Sequence, residues 1–462
     1  MDKYTAPRYA SPVHTPRFPA PGDHATELLC LAADYPAFRS PEGQAFVSIP
    51  FGPTGRQIVA LHSPNLRDHL TSRFHETFNV FPKPRALAEA IRRLSAEAFG
   101  PGNSMYPAER PVFLRLAALP SQIVLDLLDN GQTVEIGPSS WSVADSNPAC
   151  FQRTRSHAPL PHPVQTETPD FEPLARCLRL SHDRPAFLRI LTWLLTAMRP
   201  GTGPYPILLL RGPSGSGKST TARILKSLID PSHAPLLPAP TSRRSLMRDA
   251  SNNWVLAFDH VSKLPTQVSD TLCTLTSGIA HTFRDGGRTV TQNLLRPIIL
   301  VATDRLKLHP DLAARCLIVD LEPPEPTEEP ARENPADAFD GLRSAILGSL
   351  CTAVSQAMSG KFIYATPEEL AEALKPVPSR LVQSLHKLGG FKGSATDLAR
   401  ALDWRSTPRH ISQHLRDVTD PAFTIRFFHR RGERKIEISL SASPPGPAPE
   451  GPIPEAPRPG GA

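Results

Sequence analysis

Hydrophobic positions along the chain change their period several times, and each change marks an element. QAFVSIPF and RQIVALH flank Gly52-Pro53-Thr54-Gly55 and predict two paired strands. NLRDHLTSRFHETF and RALAEAIRRLSAEAF then place apolar residues at helical spacing. VFLRLAAL, IVLDLLD, TVEIG and WSVAD return to short strands with turn residues between them. Residues 34–150 are therefore expected to form an α+β domain. Its His62, His75 and acids have no evident chemical partners. Residues 1–33 are Pro-rich and aperiodic and read as a disordered tail, and 151–169 read as a linker.

From residue 170 the pattern is helical and includes FLRILTWLLTAM at 187–198. That run is too short to span a bilayer and carries Arg189, so a packed helix is expected. The strand YPILLL then opens an alternating α/β segment that ends near 322. An acidic, Pro-rich linker (323–336) leads to a helical region (337–374) containing FDGLRSAILGSLCTAVSQAM. A small basic domain follows at 375–440, and 441–462 is a Pro/Gly tail that cannot build a core.

Charge sharpens this division. The net charge is +7, and residues 375–438 hold 13 Lys/Arg against 6 Asp/Glu, a balance of 13 − 6 = +7. Residues 322–340 hold 7 acids and 1 Arg, a balance of −6. A basic C-terminal module suits a polyanion. The six cysteines are scattered without a CxxC pair, which argues for a reducing, cytoplasmic setting and against a structural zinc site. The first twenty residues contain no apolar run of the kind that targets a chain to export, and no membrane association is expected.

The most specific motif is ILLLRGPSGSGKSTTARIL, in which Gly212, Gly217, Lys218 and Ser219 fit GxxxxGK[ST] between a strand and a helix. Backbone N–H groups of Gly212, Pro213-Ser214-Gly215-Ser216 (proline excepted) and Gly217 are expected to curl around phosphate, helped by the helix N-terminus. Lys218 would reach the β/γ oxygens, Ser219 would ligate Mg²⁺, and Thr220 closes the motif. The run Trp254–Pro265 is apolar until Asp259, 40 positions after Ser219, which suits a second Mg²⁺ contact. His260 follows it. RPIILVATD ends in Thr303 and Asp304, with Thr303 the candidate for holding the attacking water. Arg315 precedes the buried strand CLIVDL and suits a finger toward a neighbouring subunit.

Two further segments suit DNA. HTFRDGGRTVTQ predicts a hairpin turning at Asp285-Gly286-Gly287, with Arg284 and Arg288 at its ends as strand-gripping cations. FKGSATDLARALDWRSTPRHISQHLRDV predicts two helices, the second presenting Arg409, Gln413 and Arg416 outward. FTIRFFHRRGERKIEISL adds a hairpin with Arg430, Arg431, Arg434 and Lys435. Helix–turn–helix plus basic hairpin resembles a winged helix, whose outward helix suits the major groove and whose wing suits phosphates.

Taken together, ILLLRGPSGSGKST, NNWVLAFDHVSKLP, the hairpin, RPIILVATD and DLAARCLIVDLEPP resemble the ATPase domain of phage and plasmid primase-helicases, which are superfamily 3 helicases within the AAA+ class. VEIGPSSWSVADSNPACFQRTRSHAPLPHP is similar to the segment preceding that ATPase in bacterial mobile-element proteins. The resemblance spans roughly 110–440 and is densest over 205–322. It implies an α/β P-loop NTPase core, ATP and Mg²⁺, a homo-oligomeric hexameric ring, and movement on single-stranded or forked DNA. It also implies a primase or replication-initiation protein as partner, since no complete primase is evident in the chain. Within it, Lys218 and Ser219 match Walker A, Asp259 Walker B, Thr303 sensor 1 and Arg315 the arginine near the domain's end. His260 departs from the pattern, because many relatives place an acid there as general base. Hydrolysis is therefore expected to be slow, or absent without DNA or partner subunits, with Asp304 assisting His260. Two other readings stay open: a nucleotide-gated DNA-binding regulator with little turnover, and a P-loop small-molecule kinase.

Overall fold

The computed structural model describes residues 22–51, 55–100, 109–129, 131–145, 147–154, 156–303, 306–323, 335–360, 369, 385, 388, 390–402, 415, 423–430 and 433–440. Two compact units are present, residues 1–374 and 375–462.

The larger unit begins with helix α1 (His24–Leu31), within the stretch expected to be a tail. Asp23 caps it by accepting from Ala25 N and Thr26 N, and Leu28 is fully buried. The Pro-rich composition of the first thirty residues concealed this one short amphipathic turn. Strands β1 (Ala37–Arg39), β2 (Ala45–Phe51) and β3 (Gly55–Ala60) form an antiparallel sheet. Helices α2 (Pro64–Phe78) and α3 (Pro84–Ala98) cover it. Ser63 accepts from Leu66 N, Pro64 sits in the first turn and Asn79 closes α2 in a left-handed conformation, so both ends are set locally.

A second strand group follows: β4 (Val112–Phe113), β5 (Leu116–Ala118), β6 (Ile123–Asp126), β7 (Thr133–Ile136), β8 (Trp141–Ala144) and β9 (Cys150–Phe151). β5 to β8 are an antiparallel meander. One expected strand, 112–119, is broken into β4 and β5 around the buried Arg115.

Helices α4 (Glu172–Cys177) and α5 (Arg184–Ala197) lead to the parallel sheet. Its strands are β10 (Ile207–Arg211), β11 (Leu237–Pro238), β12 (Leu256–Val261), β15 (Ile298–Ala302) and β16 (Cys316–Asp320), ordered β11-β12-β15-β10-β16. Between them lie α6 (Lys218–Ile229), α7 (Arg243–Asn252), α8 (Thr266–Leu275) and the short α9 (Pro310–Ala313). Strands β13 (Ile279–Asp285) and β14 (Arg288–Leu294) form a separate two-stranded ribbon. The fold is thus mixed α/β around a parallel sheet. β10 and β15 are apolar on both faces, as a sheet covered by helices on each side requires.

The meander is not separated from this sheet. Ile123, Leu125, Ile136 and Trp141 share one core with α5, α6 and helix α10 (Pro335–Met358). The expected linker 151–169 is built in: Arg153, His157 and Leu160 are buried. α10, expected in a region of its own, is stitched to the same body. Trp141 Nε1 donates to Thr352 Oγ1 at 2.8 Å, Ser355 Oγ donates to Gly137 O at 2.6 Å and Arg343 Nη2 donates to Ser227 O at 2.6 Å. Expected boundaries at 150, 170 and 322 followed composition, whereas burial joins segments that are distant in sequence. Among the described residues, no helix is long and apolar enough to cross a membrane.

In the smaller unit, β17 (Phe391–Gly393), β18 (Phe423–Arg430) and β19 (Glu433–Leu440) form an antiparallel sheet ordered β17-β19-β18. Helix α11 (Ala395–Ala401) is fixed by a Ser394–Asp397 capping box. Leu398, Ile436 and Ile438 are buried together with Leu385 and Leu415. Arg409, Gln413, Arg416 and Arg431 lie outside the described residues, as do Asp304 and residues 1–21, 324–334 and 441–462. Arg430 stands on β18 opposite Glu433, Arg434 stands on β19 opposite His429, and Lys435 is half-buried.

Candidate functional site

The parallel strands deliver their polar ends to one edge of the sheet. β10 stays apolar to Leu210, and the chain then turns through Gly212–Gly217 into α6. Gly212 has φ +143, and a Cβ there would run into the Leu321 carbonyl oxygen. Only glycine lets the loop pass this close to the end of β16. Gly217 also has positive φ and caps α6. Gly212→Ala is expected to weaken ATP-analogue binding by about tenfold or more, the cost of one strained backbone position. Isothermal titration against the wild type measures it.

Lys218 and Ser219 open α6. Lys218 Nζ donates to Gly212 O at 2.7 Å and Pro213 O at 2.6 Å, bending back over the loop. Ser219 Oγ donates to Asp259 Oδ1 at 3.0 Å, bringing together residues 40 apart in sequence. These residues line a cavity of about 410 Å³ with Ser214, Gly215, Thr220 and Thr303. Thr303 directly follows β15, and its N–H donates to Val261 O at 3.0 Å. Of the loop residues, Pro213 does not line the cavity, and Ser216 is buried beneath it.

His260 lines the cavity too, and its backbone is unusual. A register shift between Phe258 and Val261 interrupts the pairing of β12 with β15. His260 sits on that irregularity with φ +55, a left-handed conformation uncommon for a non-glycine residue. Its N–H donates to Asp259 Oδ1 at 2.8 Å, while its ring is 87% exposed with Nδ1 3.6 Å from the same oxygen. The bulge therefore turns the carboxylate toward Ser219 and the imidazole toward the opening.

Arg315 is elsewhere. It stands just before β16, where its carbonyl accepts from Ile207 N at the start of β10. The five residues of β10 separate it from the loop by roughly 17 Å at about 3.3 Å per residue. Its Nη1 donates to Ser277 Oγ at 3.0 Å. It cannot serve the cavity of its own chain.

Behind the site is an ion cluster that was not apparent from the sequence. Asp230, at the far end of α6, is fully buried. Its Oδ2 accepts from Trp254 N at 2.9 Å, Val255 N at 3.0 Å and Lys226 Nζ at 3.2 Å, and Arg115 Nε lies 3.4 Å from Oδ1. Burial pushes the Asp230 carboxyl up, but Lys226, Arg115 and His157 outweigh it and hold it well below the ordinary carboxylate range. One carboxylate thus fixes the far end of α6 to the start of β12. The opposite ends of those two elements carry Ser219 and Asp259. A lysine and an aspartate at i and i+4 inside an apolar helix, ILKSLID, were the available signal.

Arg284 and Arg288 are both exposed, but they do not share a direction. The turn has two residues, Gly286 at φ +54 and Gly287 at φ +85, so Arg284 lies opposite Thr289 and Arg288 opposite Asp285. The two arginines occupy opposite faces. The Arg288 guanidinium lies 3.8 Å from the centroid of the Phe99 ring, on α3's C-cap. His62, which lacked an evident partner in sequence, has its Nδ1 3.2 Å from Asp285 Oδ1.

One edge of the parallel sheet thus gathers a glycine-rich loop, a lysine, and a paired hydroxyl and carboxylate. Residues 176–370, fewer than half of the chain, match the family model of the actinomycete integrative conjugative element replication protein. No curated protein matches. Among solved structures, the A-form apo structure of the NrS-1 C-terminal region is similar at 10% identity and a TM-score of 0.42, covering 89% of this chain and 98% of that one. A second structure of that region, residues 305–718, gives 9% identity and a TM-score of 0.35, covering 91% and 100%. The JCV helicase gives 14% and 0.25, covering 46% of this chain and 64% of that one.

Proposed function

We propose that this chain is an ATP-dependent DNA helicase or translocase of a mobile-element replication module, working as a homo-oligomeric ring. The observation that carries this reading is the 3.0 Å bond from Ser219 Oγ to Asp259 Oδ1 at the mouth of the glycine loop. A hydroxyl and a carboxylate placed together beside a phosphate-sized backbone arch form a magnesium–nucleotide seat. Among the described residues no group of three or more His, Cys, Asp or Glu could hold a metal. That fits Mg²⁺, which takes one or two protein ligands and leaves the rest to phosphate and water.

In this reading the loop amides and Lys218 hold the phosphates, and Ser219 and Asp259 hold Mg²⁺. The bound ion offsets charge on the triphosphate. Thr303 orients the attacking water from the end of β15. Arg315 completes the pocket of a neighbouring copy, because its place at the opposite end of β10 rules out its own. The family model over 176–370 favours a role in replication. The basic second unit is the proposed duplex contact, through Arg409, Gln413 and Arg416 and through Arg430, Arg431, Arg434 and Lys435.

Unwinding of a forked duplex with ATP and Mg²⁺, and ATPase stimulation by single-stranded DNA, test the proposal. Neither activity in the purified protein would sink it. Arg315→Ala is expected to leave ATP binding unchanged while turnover falls about 100-fold or more, as loss of a charge-stabilising arginine does. Wild type doped with this variant should lose activity faster than in proportion, because each copy then spoils its neighbour's site.

His260 favours a second reading, a DNA-binding regulator gated by nucleotide with little turnover. It stands where a proton-accepting carboxylate was expected. DNA binding that responds to ATP, with equally negligible hydrolysis in wild type and Lys218→Ala, would select it.

A further inference from the structure

Among the described residues the hairpin β13–β14 pairs with no other strand, and a lone two-stranded ribbon is at best marginally stable in water. Its root is anchored by Leu294 and Ile279 against the parallel sheet's core. Its tip rests on the N-terminal lobe. Beside the His62–Asp285 pair and the Arg288–Phe99 stack, Gln292 Nε2 donates to Gln44 Oε1 at 2.9 Å. At Gly286 the fit is close enough that a Cβ would run into the His62 ring.

The docked and outward faces differ in chemistry. Asp285, the hairpin's acid, is turned into the lobe, and its side chain is only 12% exposed. The outward face carries Thr282 and Thr291, whose hydroxyls are 3.0 Å apart, then Arg284 opposite Thr289. That face holds hydroxyls and a cation and no carboxylate, which suits a phosphodiester backbone.

We propose that the N-terminal lobe is the holder of the hairpin: His62, Gln44 and Phe99 are positioning residues that keep the tip folded, hide Asp285 and present the Arg284 face to a single strand of DNA. Arg288 belongs to the dock. This rests on the DNA-motor reading above and gives the N-terminal lobe a role in it. The contacts are polar and individually weak, so the dock is a fit that small changes undo.

Gly286→Asn is the sharpest test. Asn-Gly is favoured in a two-residue turn of this type, so the hairpin's own geometry is retained while the new Cβ displaces His62. His62→Ala removes the pair from the lobe side without touching the hairpin. Hydrogen exchange of the full-length protein without DNA should show slow tip amides in the wild type and faster exchange in both variants. Affinity for labelled oligothymidylate should fall roughly fivefold in both, the effect of one misplaced phosphate contact, with ATP affinity unchanged. Unchanged tip exchange in both variants overturns the dock. A freed tip with unaltered or tighter DNA binding overturns the positioning role. Arg284→Ala separates the two levels: if it leaves oligothymidylate affinity unchanged, the DNA face is wrong, and the exchange data still decide the dock.

Discussion

Replacing Lys218 with alanine is expected to lower ATP turnover by roughly 100-fold or more, the usual effect of removing one preorganised charge donor. The side chain is half-buried and its bonds to Gly212 O and Pro213 O are made within the loop, so the fold should survive its loss. A thermal midpoint near that of the wild type, together with a collapsed turnover under DNA stimulation, is the predicted pair of results. Wild-type turnover in the variant would mean that hydrolysis arises elsewhere, and the magnesium–nucleotide seat would have to be abandoned.

Asp230→Asn should produce the largest loss of stability. It leaves Lys226 and Arg115 charged and buried around an uncharged amide, and breaking such a cluster costs about 3–5 kcal/mol. For a unit of this size that lowers the melting midpoint by about 10 °C in differential scanning fluorimetry. The pH dependence has a definite sign. The folded Asp230 carboxyl is held below its ordinary value of 3.8, so its contribution is fully present above that pH and is lost as pH falls below it. The gap between wild type and variant should stay level through neutral pH and narrow only in acid. A gap that widened on acidification would contradict an ionised Asp230. Because α6 and β12 are pinned here at their far ends, the variant should also loosen the distance between Ser219 and Asp259 and raise the KM for ATP.

The parts of the site that lie in one local stretch were legible. An apolar run ending in a single carboxylate gave Asp259, GPSGSGKST gave the loop, and Gly286-Gly287 gave the turn. What escaped reading depends on partners far away. Lys226 looks like any helix-surface lysine until Val255 O and Asp230 are seen around it, and Arg115 meets Asp230 across 115 positions. His62 pairs with an acid more than two hundred residues on. The opposite facing of Arg284 and Arg288 was readable in principle, since a two-residue turn fixes which residues oppose each other. His260 was noticed as a departure by residue type, but its bulge follows from strand pairing, which composition does not carry.

One consequence of α10 concerns how this molecule can be divided. Its apolar side, from Phe339 to Val354, fills a groove whose walls come from both the meander and α6, and Gly348 lets the helix lie directly against the Val164 carbonyl. Severing the chain at residue 322 would strip that filling and leave Trp141, Leu225 and Leu228 facing water. The portion carrying the glycine loop is therefore no removable cassette: it borrows its wall from sequence on either side, and any smaller folded fragment must keep both flanks.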